Sequence, residues 1–538
     1  MEGSPQSASS KAGRVGSRRR ALRLLVVKPT LDDLREWAKA VGVMGLCIGF
    51  LAIVQFSTPN LVGNDGYYHI KLAALMRADG LKPEFVWLPL TILNPEQFVD
   101  HHFLFHVLLI PFTFGDLIAG AKWASVVFAS TAVAAIWWML RRQEVPYAGL
   151  WALGTLAVSE AFIFRMSMPR AQSLSLAILV LALGWMLSGQ HRRLLVLGFL
   201  YVWLYDAFPL LLLACASYVM AYWLIRGRLQ LAPLGYAGMG IVLGLVINPY
   251  FPDNLLFIGR HILPKLTDAT SVSVGSEWYP YDTAQLMANS GLALLAFVSA
   301  TVALGLHGRR MRVDAATALL FSISVGIMLF QARRFVEYFP ALALIFAALA
   351  WSPLLERLRT GSGDGDRAPN LLVEVDTVKA RTMKAAVLRG LAAAGLILGL
   401  WLNLDASIES VRGSKSFQRY QGASAWLEQH TPPGSRVFQT DWDDFPRLFF
   451  HNTHNTYTIG LDPTYMQLRD PDLYDLWVDL TQGRAEDLST AILTSFGAEY
   501  VLTDLEHERF LRAAEEDPEM TEVYRDEFAV VFSVEGNR

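Results

Sequence analysis

Acidic and imidazole side chains gather just beyond the first apolar run of the chain. Asn64-Asp65-Gly66-Tyr67-Tyr68-His69 lies early in one polar stretch, and Asp100-His101-His102 closes it. A third acid comes much later, in Ser276-Glu277-Trp278. Asp65, Asp100 and Glu277, with His69, His101 and His102, make a candidate ligand set for a divalent cation. Oxygen-rich ligation suits Mg²⁺ or Mn²⁺, and the imidazoles tilt the choice toward Mn²⁺. A second group is basic: Arg165 and Arg170, then Arg333 and Arg334. A guanidinium grips phosphate through a bidentate fork. A cation facing a phosphate neutralises the charge that develops on a leaving group. The chemistry that fits both groups is group transfer from a lipid phosphate.

The elements that must position these residues are membrane helices. Of 538 residues, 53% are hydrophobic and only 18% charged, against about 25% charged in a soluble protein. That excludes a soluble multidomain enzyme and a disordered chain. With only Cys47 and Cys215, both in apolar runs, a disulfide scaffold is excluded too. A crossing needs about 20 apolar residues. The candidate cores are 41–57, 121–140, 149–162, 174–187, 194–205, 210–224, 231–247, 292–306, 316–330, 341–349 and 386–404. The apolar stretch 103–114 is too short to cross and is expected at the outer interface. The first run reads as a retained span rather than a cleaved signal.

Charge sets the orientation. Basic clusters at 18–20, 141–142, 191–193, 226–228, 309–312 and 379–384 all fall on one side if there are eleven spans. The positive-inside rule makes that side cytoplasmic. Every residue singled out above then lies on the outer face. Arginines there oppose the rule, so an anion must compensate them. Residues 405–538 hold 25 acids and 11 bases, an acidic domain placed outside by the odd span count. Its pattern is α/β: helices at 420–430, 473–480 and 488–496, strands at 436–440, 457–459 and 500–503, and a closing hairpin at 523–534. The expected organisation is a basic segment 1–38, a transmembrane domain 39–406 with outer loops 58–102 and 248–286, and a soluble extracytoplasmic domain 407–538. Gly361 to Pro369 is a polar linker. No nucleic-acid signal is present.

The stretch Asp65-Gly66-Tyr67-Tyr68-His69, directly after the first span, resembles the first outer loop of the GT-C membrane glycosyltransferases. It is most similar to the catalytic subunits of the oligosaccharyltransferases. Thr270-Ser271-Val272 to Glu277 is similar to the family's flexible outer loop, which carries a glutamate. Gln439 to Phe445, with Trp442-Asp443, is similar to its acceptor-recognition motif built on Trp-Trp-Asp. Two positions differ: the second outer loop reads Val158-Ser159-Glu160-Ala161, with one acid in place of a pair, and Trp442 follows Asp441 rather than a second Trp. The resemblance implies a polyprenyl-phosphate or -diphosphate sugar donor and a metal-assisted inverting transfer. Asp65 and Glu277 become the candidate catalytic carboxylates. Asp65, Asp100, His101, Glu160 and Glu277 become candidate metal ligands. Arg165, Arg170, Arg333 and Arg334 would hold the donor phosphate, and Trp442 and Asp443 the acceptor.

The fold expected is therefore a polytopic α-helical membrane protein of about eleven spans, GT-C-like, with a C-terminal extracytoplasmic α/β domain. The activity expected is transfer of a sugar or oligosaccharide to a protein, glycan or lipid acceptor at the outer face of a membrane, the bacterial inner membrane being the expected one. The rival readings are a lipid or polysaccharide transporter and a GT-C-like protein that binds without catalysing. Transporters carry paired repeats and broken helices at matching positions. This chain shows no internal repeat, and its unusual polar residues cluster on one face.

Overall fold

A computed structural model describes residues 31–262, 275–306, 311–360, 371–485 and 487–535. The basic segment 1–30, residues Thr270 to Val272 and the linker 361–369 lie outside the described residues. Residues Val43–Arg538 form one unit and Met1–Gly42 a second; all that follows concerns the larger unit.

Among the described residues, seven helices are long and apolar enough to cross a membrane, from Ala38–Gln55, which begins in the smaller unit, and Leu117–Arg142 through Phe339–Arg357 and Gly390–Arg412. An eighth crossing is counted if Glu160–Ser167 and Gln172–Leu187, bent by 109° at their junction, form one span. Phe103–Thr113, Arg193–Leu204 and Ala232–Val246 are apolar but shorter. The chain is thus a polytopic α-helical membrane protein. The stretch expected as one span over 149–162 is two helices. Ala148–Gly154 ends first, and Glu160–Ser167 starts afresh where the Ser159 hydroxyl accepts the Phe162 N–H. Such a cap satisfies a backbone donor that apolar surroundings could not. The stretch 103–114 is the helix Phe103–Leu109 followed by a 3₁₀ turn, Ile110–Thr113.

Helices that are short for the membrane pack closely. A Cβ on Gly240 would stand 2.1 Å from the Leu195 carbonyl oxygen, and one on Gly198 would stand 2.6 Å from that of Ala237. Only small residues let Arg193–Leu204 and Ala232–Val246 approach to this distance.

The C-terminal region folds around a five-stranded sheet. Its strands are β1 (Arg436–Gln439), β2 (Thr456–Tyr457), β3 (Tyr500–Asp504), β4 (Met520–Arg525) and β5 (Ala529–Val534), in the order β2-β1-β3-β5-β4. β1 runs parallel to β2 and β3, while β5 is antiparallel to β3 and β4. The β4–β5 turn is closed by Asp526, whose carboxylate accepts the Phe528 and Ala529 N–H groups. Successive strand residues point to opposite faces, and both faces are buried. Phe438, Val501, Val530 and Phe532 pack under the helix Leu488–Phe496. Val437, Leu502 and Val531 share a second core with Tyr68 of the helix Asp65–Asp79 and with Phe85 and Trp87 of the stretch that follows it. The sheet is thereby seated on the loop that carries Asp65. Phe445–His451, Thr464–Arg469 and Glu508–Glu516 are further helices, the first two too short for their period to stand out in sequence.

Candidate active site

Between the membrane helices and the C-terminal domain lies a cavity of about 870 Å³. Asp65 opens the helix Asp65–Asp79. The next residue, Gly66, lies against Pro169: a Cβ there would come within 2.5 Å of the proline ring. That closeness brings Asp65 to Arg170, whose Nε lies 3.2 Å from Oδ2.

Glu277 is the hub of the basic wall. Its Oε2 accepts from Arg165 Nη1 at 2.7 Å and from Arg170 Nη1 at 3.3 Å, and its Oε1 lies 3.5 Å from Arg334 Nη1. Arg165 also reaches Glu337 at 3.2 Å. Arg334 donates to the Tyr205 hydroxyl at 3.0 Å and lies over the Trp278 ring. Burial alone would raise the Glu277 pKa, but Arg170, Arg334 and Arg165 together hold it well below the usual carboxylate range. Arg333 stands apart: it donates to the backbone oxygens of Tyr279 and Pro280.

The opposite wall is histidine-rich. His101, His102 and Asp206 each offer one ligand atom, and these atoms lie within 4.8 Å of one another. His101 Nε2 is 3.6 Å from Asp206 Oδ2. His101 Nδ1 is buried with no hydrogen-bond partner among the described residues. Burial first, then the neighbouring imidazoles and Arg170, keep His69 and His102 well below the ordinary histidine pKa. Neutral imidazoles are what a cation requires, so this donor set fits a divalent ion.

The third side is the turn Trp442–Asp444 after β1. Asn64 Nδ2 donates to the Asp443 carbonyl, tying the turn to the residue before Asp65. Burial, with Asp65 and Asp441 nearby, pushes the Asp443 carboxyl up to about 7. Burial and Asp441 push Asp444 to about 8.

Of the residues expected from sequence, Asp65, His101, Arg165, Arg170, Glu277, Arg333, Arg334, Trp442 and Asp443 line this one cavity. Asp100 and Glu160 are not among its lining. Asp100 is buried, with its Oδ2 2.7 Å from His106 Nδ1, while Glu160 bonds Ser410 on the last long helix. The ligand atoms that do cluster add Asp206, and the arginine wall adds Glu337. Glu337 could have been found from its place one turn after Arg334. Asp206, at a helix end after Tyr205, faces the histidines only once Arg193–Leu204 is folded.

Fold and cavity together define an architecture: a polytopic helical membrane domain whose polar cavity is roofed by a C-terminal α/β domain, an arrangement similar to that of the solved membrane glycosyltransferases below. No family model matches the chain. It is 26% identical over 253 residues to the dolichyl-phosphooligosaccharide-protein glycotransferase 3 of Archaeoglobus fulgidus, a match covering 43% of this chain and 28% of that protein. The chain therefore spans little more than a quarter of that relative's length. The archaeal oligosaccharyltransferase AglB of A. fulgidus, solved with an inhibitory peptide and a dolichol-phosphate, superposes with a TM-score of 0.62 at 15% identity, over 90% of this chain and 71% of that one. ArnT of Cupriavidus metallidurans, solved with undecaprenyl phosphate, gives 0.55 at 17% identity, over 94% and 99%.

Proposed function

We propose that the protein transfers a sugar or oligosaccharide from a polyprenyl-phosphate or -diphosphate donor to an acceptor at the extracytoplasmic face. One observation carries the reading. Three guanidinium groups, from Arg165, Arg170 and Arg334, converge on a single carboxylate at a membrane-level cavity. An isolated carboxylate does not need three arginines. A phosphate with several anionic oxygens does, and it would share or displace Glu277 as their counter-charge. The solved relatives were captured with dolichol-phosphate and undecaprenyl phosphate, which supports the same donor chemistry.

Eleven crossings account for the lining. Eleven is reached by counting the stretch that begins with Ala148–Gly154 as one limb, the stretch headed by Gln172–Leu187 as another, and Arg193–Leu204 and Ala232–Val246 as full crossings; most of the lining residues outside the C-terminal domain then lie near helix ends. Basic residues then mark the other side, cytoplasmic by the positive-inside rule. A plasma membrane follows, the bacterial inner membrane being the reading favoured by the end-to-end match to the Cupriavidus enzyme.

In the reaction, Arg170 and Arg334 hold the donor phosphate and stabilise its charge as the glycosidic bond breaks. Asp65 receives the proton of the acceptor nucleophile or orients it. Trp442 and Asp443 face the acceptor side. His101, His102 and Asp206 would hold a divalent cation, Mn²⁺ more readily than Mg²⁺ given two imidazoles; when bound it would add positive charge beside the donor phosphate. Purified protein given polyprenyl-linked sugar and a crude acceptor fraction should produce labelled acceptor. Release of donor sugar to neither acceptor nor water, at any cation concentration, would count against the reading.

A further inference from the structure

Among the described residues, Glu277 is the carboxylate that Arg165, Arg170 and Arg334 share. Each of these arginines also has an anchor that does not involve Glu277. Arg165 Nη2 lies 3.2 Å from Glu337, Arg170 Nε lies 3.2 Å from Asp65, and Arg334 donates to the Tyr205 hydroxyl at 3.0 Å. Taking Glu277 away would therefore leave three guanidinium groups around one gap, each still held by its second partner.

The two glutamates of this wall differ in access. The Glu277 side chain is 25% exposed and that of Glu337 only 3%. An anion in the cavity can reach the place that Glu277 fills, whereas Glu337 is buried with the arginine it holds. Glu277 sits in the short 3₁₀ turn Ser276–Trp278, whose N–H bonds are long: Trp278 to the Gly275 oxygen at 3.4 Å and Tyr279 to the Ser276 oxygen at 3.3 Å. Just beyond it, Arg333 holds the Tyr279 and Pro280 carbonyls. The turn can thus move about a held end without unfolding a crossing helix. Both oxygens of Glu277 meet arginines, and it lies outside the group of ligand atoms formed by His101, His102 and Asp206.

We propose that Glu277 is a specificity-determining counter-anion: in the donor-free protein its carboxylate fills the place of the lipid phosphate, and a lipid with an anionic head displaces it together with its turn. This deepens the transferase reading and rests on it for the identity of the anion. Carboxylate and phosphate compete for the same guanidinium N–H donors. A phosphate can replace Glu277 because it brings charge of the same sign and further oxygens. An uncharged lipid cannot, since displacing Glu277 without a substitute would leave the guanidinium groups uncompensated in a partly desolvated site. The displacement lowers affinity for the donor, and in exchange it closes the wall to neutral lipids of the same tail.

The test titrates the full-length protein in detergent with undecaprenyl phosphate, and with undecaprenol as the uncharged control. Glu277→Gln removes the competing charge, so it should bind the phosphate about 10–100-fold more tightly than wild type and the alcohol no differently. Glu337→Gln removes a charge from the same wall without vacating the phosphate's place, and should bind the phosphate no more tightly than wild type. A second measurement needs no variant and serves if Glu277→Gln is not monodisperse. In wild-type protein, hydrogen exchange at the Trp278 and Tyr279 amides should quicken with undecaprenyl phosphate and not with undecaprenol. A folded Glu277→Gln protein that binds no more tightly than wild type, equal tightening in Glu337→Gln, or exchange that the phosphate lipid leaves unchanged would overturn the proposal. Those results leave the transferase reading standing where wild type prefers the phosphate to the alcohol. Equal binding of the two lipids by wild type would overturn both.

Discussion

The two walls of the cavity handle charge in opposite ways. On one, every acid is paired: Glu277 with three arginines, Glu337 with Arg165 and Asp65 with Arg170. On the other, burial keeps the His69 and His102 imidazoles neutral. A wall of paired charges is stable while empty, and it can exchange one anion for another. A wall of imidazoles with the single carboxylate of Asp206 offers donor atoms to a cation without arginines to satisfy them. The contrast is what a site for a phosphate and a cation needs, because each wall is prepared for a partner of the other sign.

The sharpest way to break the contrast is at Asp65, which stands between the walls. Asp65→Asn should lower sugar transfer by about 10²–10⁴-fold if the carboxylate takes a proton in the reaction. If it acts chiefly through a cation, excess Mn²⁺ should restore part of the loss. A transfer assay over a Mn²⁺ series separates the two, and wild-type rates in the variant would remove Asp65 from the chemistry.

Arg165 bridges two acids of the basic wall. Arg165→Gln should strand Glu277 and Glu337 and cost roughly 3–5 kcal/mol of stability, read by thermal unfolding in detergent. Adding Glu337→Gln should recover part of it. No recovery would mean the pair is uncoupled.

Gly66→Ala tests how closely the two halves of the site must approach. The new methyl would meet the Pro169 ring at 2.5 Å, so relief costs about 1–3 kcal/mol and moves Asp65 from Arg170. Transfer should fall with it; an unaffected variant would show that the contact has slack.

The Trp442–Asp444 turn should respond to pH. With folded pKa values of about 7 and 8 for Asp443 and Asp444, both raised above the unfolded value near 3.9, the folded form holds protons longer. Their stabilisation is full below about pH 4 and is lost as pH rises through 7 to 8. Unfolding temperatures between pH 5 and 8 should fall less steeply in Asp444→Asn than in wild type. Smallest of all should be Arg333→Gln, since among the described residues Arg333 meets backbone oxygens and the Tyr281 ring; a loss below about 1 kcal/mol in stability is expected.

How much of this is legible in the chain depends on the length scale. Long apolar runs announce their helices because 18 or more residues have few alternatives in a membrane. The 149–162 run does not, because its first helix stops at Gly154 and Ser159 caps the start of a second one. Strands of the C-terminal sheet are readable from alternation, but its seat on Phe85 and Trp87 joins residues more than 300 positions apart. Within the site, residue types suggest the chemistry, while pairings need the fold. Asp65 and Asp100 look equivalent in sequence. Only the helix beginning at Phe103 puts His106 behind Asp100 and turns that acid away from the cavity.

The central claim is that the arginine wall is the seat of a lipid phosphate. Binding of undecaprenyl phosphate and of undecaprenol to the purified protein should be compared by titration in detergent, with Arg334→Gln alongside. The account predicts that the phosphate form binds far more tightly than the alcohol, and that Arg334→Gln costs the phosphate form about 1.5–3 kcal/mol while leaving the alcohol unchanged. Equal binding of the two lipids, or an Arg334→Gln protein that still holds the phosphate as wild type does, would contradict it.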